Sequence, residues 1–144
     1  MGKFIIDQNT LAAVRDLAKR GDKSASVLMA FLNSLRAIDF TLAAEANDKI
    51  RVTGQVIDGD GNKIAKVTDV LIESTPVTGG KGTIAVVGGQ PGTAVVGDGS
   101  AKLWLTSDAT GKFVVDVTND QAEVTLLAFR LDNGETELVK LTFA

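Results

Sequence analysis

The chain has no cysteine and no histidine among its 144 residues. Without cysteine there is no disulfide scaffold, no thiolate zinc site and no thiol nucleophile. Without histidine the commonest general base and transition-metal ligand is missing too. Most common hydrolytic arrangements are thereby excluded, although the lack of cysteine assigns no compartment, because oxidising and reducing environments both tolerate it. Positive charge is also short: 15 Lys and Arg stand against 18 Asp and Glu, a net charge of -3. The basic residues are scattered, whereas a nucleic-acid binder needs a basic footprint to displace counterions. No nucleic-acid partner is expected. Long apolar runs are missing as well, and nothing approaches the roughly 20 residues of a membrane span. The run Phe4–Ile6 is too short for the core of a signal peptide. Ile6 also stands where a myristoylation signal needs Ser or Thr. No membrane partner and no targeting address are expected.

What is present is 44% hydrophobic residues, enough for one core with a small appendage. Residues 1–37 carry a helical period and form an N-terminal segment for docking or assembly. Asn9 or Thr10 is placed to cap a first helix, with Leu11, Val14, Leu17 and Ala18 on one stripe. Lys19 and Arg20 suit its C-terminal dipole, and Gly21 suits the left-handed closing position. A second helix is predicted from Ser24 or Ser26, with Leu28, Phe31, Leu32, Leu35 and Ile38 at helical spacing. Met29, Phe31 and Leu32 exceed one stripe, which predicts burial on more than one side. Two short helices bury little alone, so the pair must pack on its own β-domain, a second copy or another protein.

From Ala37 the apolar period falls to two, and residues 38–144 read as a β-domain. Ile38, Phe40, Leu42 and Ala44 lead to Asn47-Asp48, a hairpin turn, and Ile50, Val52 and Val56 return. Asp58-Gly-Asp-Gly-Asn62 is a turn, followed by a strand predicted over 64–74 with Val67, Val70, Leu71 and Ile72. Residues 75–99 hold both prolines and eight of the fifteen glycines. The short runs Thr83–Val87 and Thr93–Val96 within them suit edge strands or an exposed loop that makes contacts. Leu103-Trp-Leu105, Phe113–Val117, Glu123–Leu131 and Leu138–Phe143 complete a set of strands, the last two joined by an Asp132-Asn-Gly134 hairpin turn. No crossover helices intervene, so a sandwich is expected rather than a parallel sheet.

Val52-Thr-Gly-Gln-Val-Ile-Asp-Gly-Asp-Gly-Asn-Lys-Ile-Ala65 and Gly99-Ser-Ala-Lys-Leu-Trp-Leu-Thr-Ser-Asp-Ala-Thr-Gly-Lys-Phe-Val-Val-Asp-Val-Thr118, with the closing strands, resemble bacterial and phage immunoglobulin-like domains. The likeness is to the invasin-type group, covers residues 49–143, and consists of turn-and-strand grammar. It departs from the pattern in the glycine-rich middle and does not reach the helical segment. The resemblance implies a mainly β, immunoglobulin-like β-sandwich that binds or builds rather than catalyses. Such domains serve as spacers and tips of surface adhesins and as decorations on phage capsids and tails.

Candidate sites are few. Asp58, Asp60 and Asn62 alternate as at the start of a calcium loop, with Asp69 at the twelfth place. Lys63 replaces the glycine required at the sixth, and the twelfth ligand is not Glu, so a plain Asp/Asn/Gly turn is the preferred reading. Gly79-Gly-Lys-Gly-Thr83 lacks the order of a phosphate loop and reads as a flexible loop. Trp104 is either a sugar-stacking platform or, preferred, a core residue between Leu103 and Leu105. Asp116, Asp120 and Glu123 are hydrolytic candidates that read as solvated acids near strand ends. No catalytic residue and no cofactor is expected. The candidates for protein contact are Leu28, Met29, Phe31, Leu32 and Leu35.

These readings predict a non-enzymatic structural protein of a phage virion, a capsid decoration or tail component assembled in the host cytoplasm. Its expected partners are other virion proteins and further copies of itself, as a homo-oligomer. The alternative is a surface adhesion or carbohydrate-binding module of the same fold.

Overall fold

The computed structural model describes residues 8–144. Met1–Asp7, the stretch that bears on a targeting signal, lies outside them. Two helices, α1 (Gln8–Lys19) and α2 (Lys23–Ser34), precede nine strands. These are β1 (Ala37–Leu42), β2 (Lys49–Ile57), β3 (Asp69–Pro76), β4 (Thr83–Val86), β5 (Thr93–Val96), β6 (Lys102–Thr106), β7 (Lys112–Thr118), β8 (Val124–Leu131) and β9 (Thr136–Thr142).

α1 closes as its sequence predicts. Gly21 has φ +88, and the amides of Gly21 and Asp22 donate to Ala18 O and Leu17 O, each at 3.1 Å, the paired bonds of a Schellman end. Asn9 and Thr10 lie inside this helix rather than capping it, because it already begins at Gln8. Leu11 is buried but Leu17 is exposed, so the stripe is narrower than its spacing implies. α2 starts one residue before the expected serines, because the Asp22 carboxylate accepts from the Ala25 amide at 2.8 Å and caps it. α2 buries one side only, Ala25 and Leu32; Leu28 and Phe31 face solvent. Leu35 is already extended at the C-cap, and Ile38 belongs to β1.

All strand pairs are antiparallel, in two sheets ordered β1-β2-β7-β4 and β5-β6-β3-β8-β9. Strands β1, β2, β7 and β4 occupy the A, B, E and D places of an immunoglobulin sheet, and β3, β8 and β9 the C, F and G places. The β5–β6 hairpin extends the second sheet beside the C place, as C″ and C′ do in variable-type domains. Here, however, the D-place strand comes before that hairpin in sequence. Of the two readings of the glycine-rich stretch, the edge strands hold: it supplies one edge of each sheet, with Ile84 fully buried.

Alternation builds the core. Val52, Val56, Phe113, Val115 and Val117 point inward from one sheet, and Val70, Ile72, Leu103, Leu105, Leu127 and Phe129 from the other. Phe129 stacks obliquely on Phe40 and Phe113, with ring centroids 4.8 Å and 6.0 Å away. Gly54 sits opposite Phe113 in the register; a β-carbon there would lie 2.6 Å and 2.8 Å from Phe113 Cε1 and Cε2. The Asn47-Asp48 turn has φ 54 and 60, the positive pair of a two-residue hairpin whose twist matches its strands. β3 begins at Asp69, five residues later than predicted, because Ile64–Thr68 passes as a loop in which Val67 is exposed.

Candidate functional site

The outer face of the five-stranded sheet exposes Leu71, Val96, Trp104, Leu126 and Leu138. Registers place Val96, Trp104, Leu71 and Arg130 side by side in one row across β5, β6, β3 and β8. A second row runs Lys102, Glu73, Ala128 and Leu138, with Lys102 Nζ 3.7 Å from Glu73 Oε1. Leu126 and Lys140 pair beyond it. Trp104 is 42% exposed. This corrects its placement in the core: Leu103 and Leu105 are both fully buried, and side chains alternate along a strand, so the residue between them must face outward. A groove of about 240 Å³ lies against the indole, lined by Asp69, Leu71, Trp104, Arg130, Leu131 and Asp132. Trp104 Nε1, the Arg130 guanidinium and the carboxylates of Asp69 and Asp132 make no hydrogen bond or ion pair among the described residues.

The other acids mostly have structural partners. Glu123 is only 8% exposed and accepts the Thr78 amide and hydroxyl, the Gly80 amide at 2.7 Å and Asn119 Nδ2 at 3.0 Å. The Thr78 hydroxyl, the Asn119 amide and the two backbone N–H groups hold its carboxyl down to about 2 against burial, from an ordinary 4.5. Asp120 accepts the Lys81 amide at 3.0 Å. The Gly79–Thr83 stretch is therefore clasped by two carboxylates, not loose as its composition implies, and Glu123 is not a solvated acid. Asp116 takes a two-pronged bond from Arg51, Nε to Oδ1 at 2.9 Å and Nη2 to Oδ2 at 3.1 Å. The three hydrolytic candidates are thus each committed to neighbouring groups. Asp108 Oδ1 accepts Thr110 N, Thr110 Oγ1 and Lys112 N at 2.7–3.0 Å; the hydroxyl bond leads in lowering its pKa.

The Asp58–Asn62 turn works in the same way: Asp58 Oδ1 accepts the amides of Asp60 and Asn62 at 2.9 Å and 3.0 Å. Asp60 turns toward α1, where its Oδ2 lies 3.0 Å from Arg15 Nη2 with the Asp60 side chain 4% exposed. Asp58, Asp60 and Asn62 border a cavity of about 650 Å³ beside Arg15, Met29 and Asn33, whereas Asp69 borders the Trp104 groove. Among the described residues, no three Asp or Glu side chains gather to hold a metal ion.

The helical hairpin docks on this turn. The Gly59 amide donates to Leu32 O at 2.9 Å, and the Arg36 amide donates to Glu135 Oε2 at 2.7 Å. Of the protein-contact candidates, Leu32 is buried, Met29 and Leu35 are half-buried, and Leu28 and Phe31 are exposed beside Val27. No helix among the described residues is long and apolar enough to cross a membrane.

No protein-family model matches the chain, and no curated protein matches it in sequence. Solved structures do. A β-glucuronidase from Parabacteroides merdae, crystallised with glycerol in its active site, matches at TM-score 0.50 and 17% identity. That match covers 75% of this chain and only 12% of the enzyme. A conjugative transposon lipoprotein from Bacteroides eggerthii matches at TM-score 0.49 and 10% identity, over 76% of this chain and 97% of that one. The Yersinia pseudotuberculosis adhesin InvE matches at TM-score 0.45 and 17% identity, over 74% of this chain and 32% of the adhesin. At such identities the glucuronidase likeness speaks for fold alone. With the sheet order, it makes the chain an immunoglobulin-like β-sandwich preceded by two short helices.

Proposed function

We propose that the chain is a non-enzymatic immunoglobulin-like module that works by protein–protein contact, as a structural component of a phage virion assembled in the host cytoplasm. The observation that carries the contact reading is the outer side of the helical hairpin. Leu17 on α1 and Val27, Leu28 and Phe31 on α2 are each exposed on these two short helices, the last at 53%. A helix pair that has already docked its inner side needs no such residues for its own stability. Two hairpins laid face to face would cover them in a four-helix packing, which makes a second copy the first partner. The virion assignment is the finer part of the proposal and rests on the pairing of such a sandwich with a hydrophobic helical appendage. Mixing the purified chain with capsid or tail proteins, followed by cross-linking, tests it; co-purification supports it and loss with Phe31→Ser locates the contact. No association with any virion protein counts against it.

A second reading, a surface adhesion or carbohydrate-binding module, is favoured by one specific observation, the outward-facing Trp104 and its groove. A glycan array probed with the labelled chain displayed in many copies on a multivalent carrier tests it. A positive signal supports that reading, and a blank array removes it.

A further inference from the structure

We propose that the groove against Trp104 is a saccharide site that takes one neutral pyranose ring stacked on the indole. This deepens the second reading above and rests on it. The sheet supplies the geometry. Trp104 stands between Leu71 and Val96 in a single row, so its ring is flanked by apolar neighbours on adjacent strands. The C–H face of a pyranose is apolar while its rim is a ring of hydroxyls, so it needs a flat aromatic surface bordered by hydrogen-bonding groups. The border here is Asp69, Arg130 and Asp132, two acceptors and one forked donor. None of the three side chains is engaged by another described residue, in contrast to Asp58, Asp108, Asp116 and Glu123. Polar groups that border an apolar groove and have no partner among the described residues are positioned for an incoming ligand.

Size and charge narrow the class. A groove of about 240 Å³ is below the roughly 300–1,000 Å³ of sites for drug-sized molecules, which fits one ring at the end or side of a longer glycan. Asp69 and Asp132 outnumber Arg130, so the border is net negative and disfavours a sialic or uronic acid. The surface is open and shallow, so a single ring is held weakly, with a Kd of about 1 mM, and useful avidity comes from repeated copies.

Trp104 is the chain's only tryptophan, so its indole N–H cross-peak reports this groove alone. The full chain is titrated with the methyl glycosides of glucose, galactose, mannose and N-acetylglucosamine, and with N-acetylneuraminic acid. The expected result is a saturable shift of that cross-peak with at least one neutral glycoside and none with the acid. Arg130→Ala and Asp132→Asn should each weaken binding about tenfold without lowering the melting temperature, because both side chains are exposed. An unmoved cross-peak with every neutral glycoside at about 50 mM overturns the site, as does a shift that survives both substitutions. If the array is positive while the indole stays still, the carbohydrate reading stands and this groove is the wrong place. A cross-peak that moves only with protein concentration makes the groove a protein contact and also overturns the proposal.

Discussion

Gly59→Ala should release the helical hairpin while leaving the sandwich folded. Gly59 has no positive φ to protect; what it lacks is a side chain. A β-carbon there would sit 2.5 Å from Leu32 O and 3.2 Å from Leu32 C and Cα, and these are backbone atoms that no rotamer change moves aside. The turn's own amides are fixed by Asp58, so α2 must give way. Separation breaks the Gly59–Leu32 hydrogen bond, about 1 kcal/mol net. It also exposes part of Leu11 and Leu32, both fully buried; losing half the burial of two leucines costs about 1.5–3 kcal/mol. Arg15 is 39% exposed and can turn to water, so its pair with Asp60 adds little to the sum. Docking is then worth about 2.5–4 kcal/mol, and two undocked helices of 12 residues each are too short to persist alone. Hydrogen exchange resolved by mass spectrometry should show protection of amides in α1 and α2 falling roughly 70- to 900-fold at that free energy. Amides of β2, β7, β3 and β8 should change little. Unchanged exchange in the helices would refute the reasoning, and so would an equal loss of protection in the sheets.

Other consequences are as definite. Glu123 has its carboxyl pKa depressed to about 2 from 4.5, so between those values the unfolded chain binds more protons than the folded one. The stability it contributes is full above about pH 5.5 and is lost as pH falls through 4.5 toward 2; acid unfolding followed by circular dichroism should show this slope, flattened in Glu123→Gln. Gly54→Val must force the Phe113 ring out of its place and should cost about 1–3 kcal/mol, read as a lower urea midpoint with unchanged slope. Phe129→Ala empties the centre of the aromatic cluster and should cost about 3–5 kcal/mol. Trp104→Ala, on the outer face, should stay within about 0.5–1 kcal/mol of the parent; thermal melts of the two proteins side by side separate core from surface.

The sandwich was legible because its signals are local. Alternation over Ile50–Val56 and Phe113–Val117, the Asn47-Asp48 and Asp132–Gly134 turns, and the absence of crossover helices each need only a few neighbouring residues. The turn reading of Asp58 was legible for the same reason, since its amide partners lie within four positions. Trp104 was misplaced although the signal was there: with Leu103 and Leu105 inward, period two sends the residue between them out. Glu123 was a different case. Its clasp on Thr78 spans 45 positions, and no pattern within its own strand announces a partner so far away. The docking of α2 was equally hidden, because it depends on Gly59 lacking a side chain opposite a helix carbonyl. The short runs Thr83–Val87 and Thr93–Val96 left edge strand and exposed loop both open, and long-range pairing with β7 and β6 decides for two sheet edges.

The most direct test of contact through the helical hairpin is light scattering on the full chain from about 1 to 500 μM, beside Leu28→Ser/Phe31→Ser. Self-association that appears in the parent and vanishes in the double variant, with both proteins equally folded, is the result predicted here. A parent that stays monomeric over the whole range, or an oligomer that the double variant retains, contradicts it.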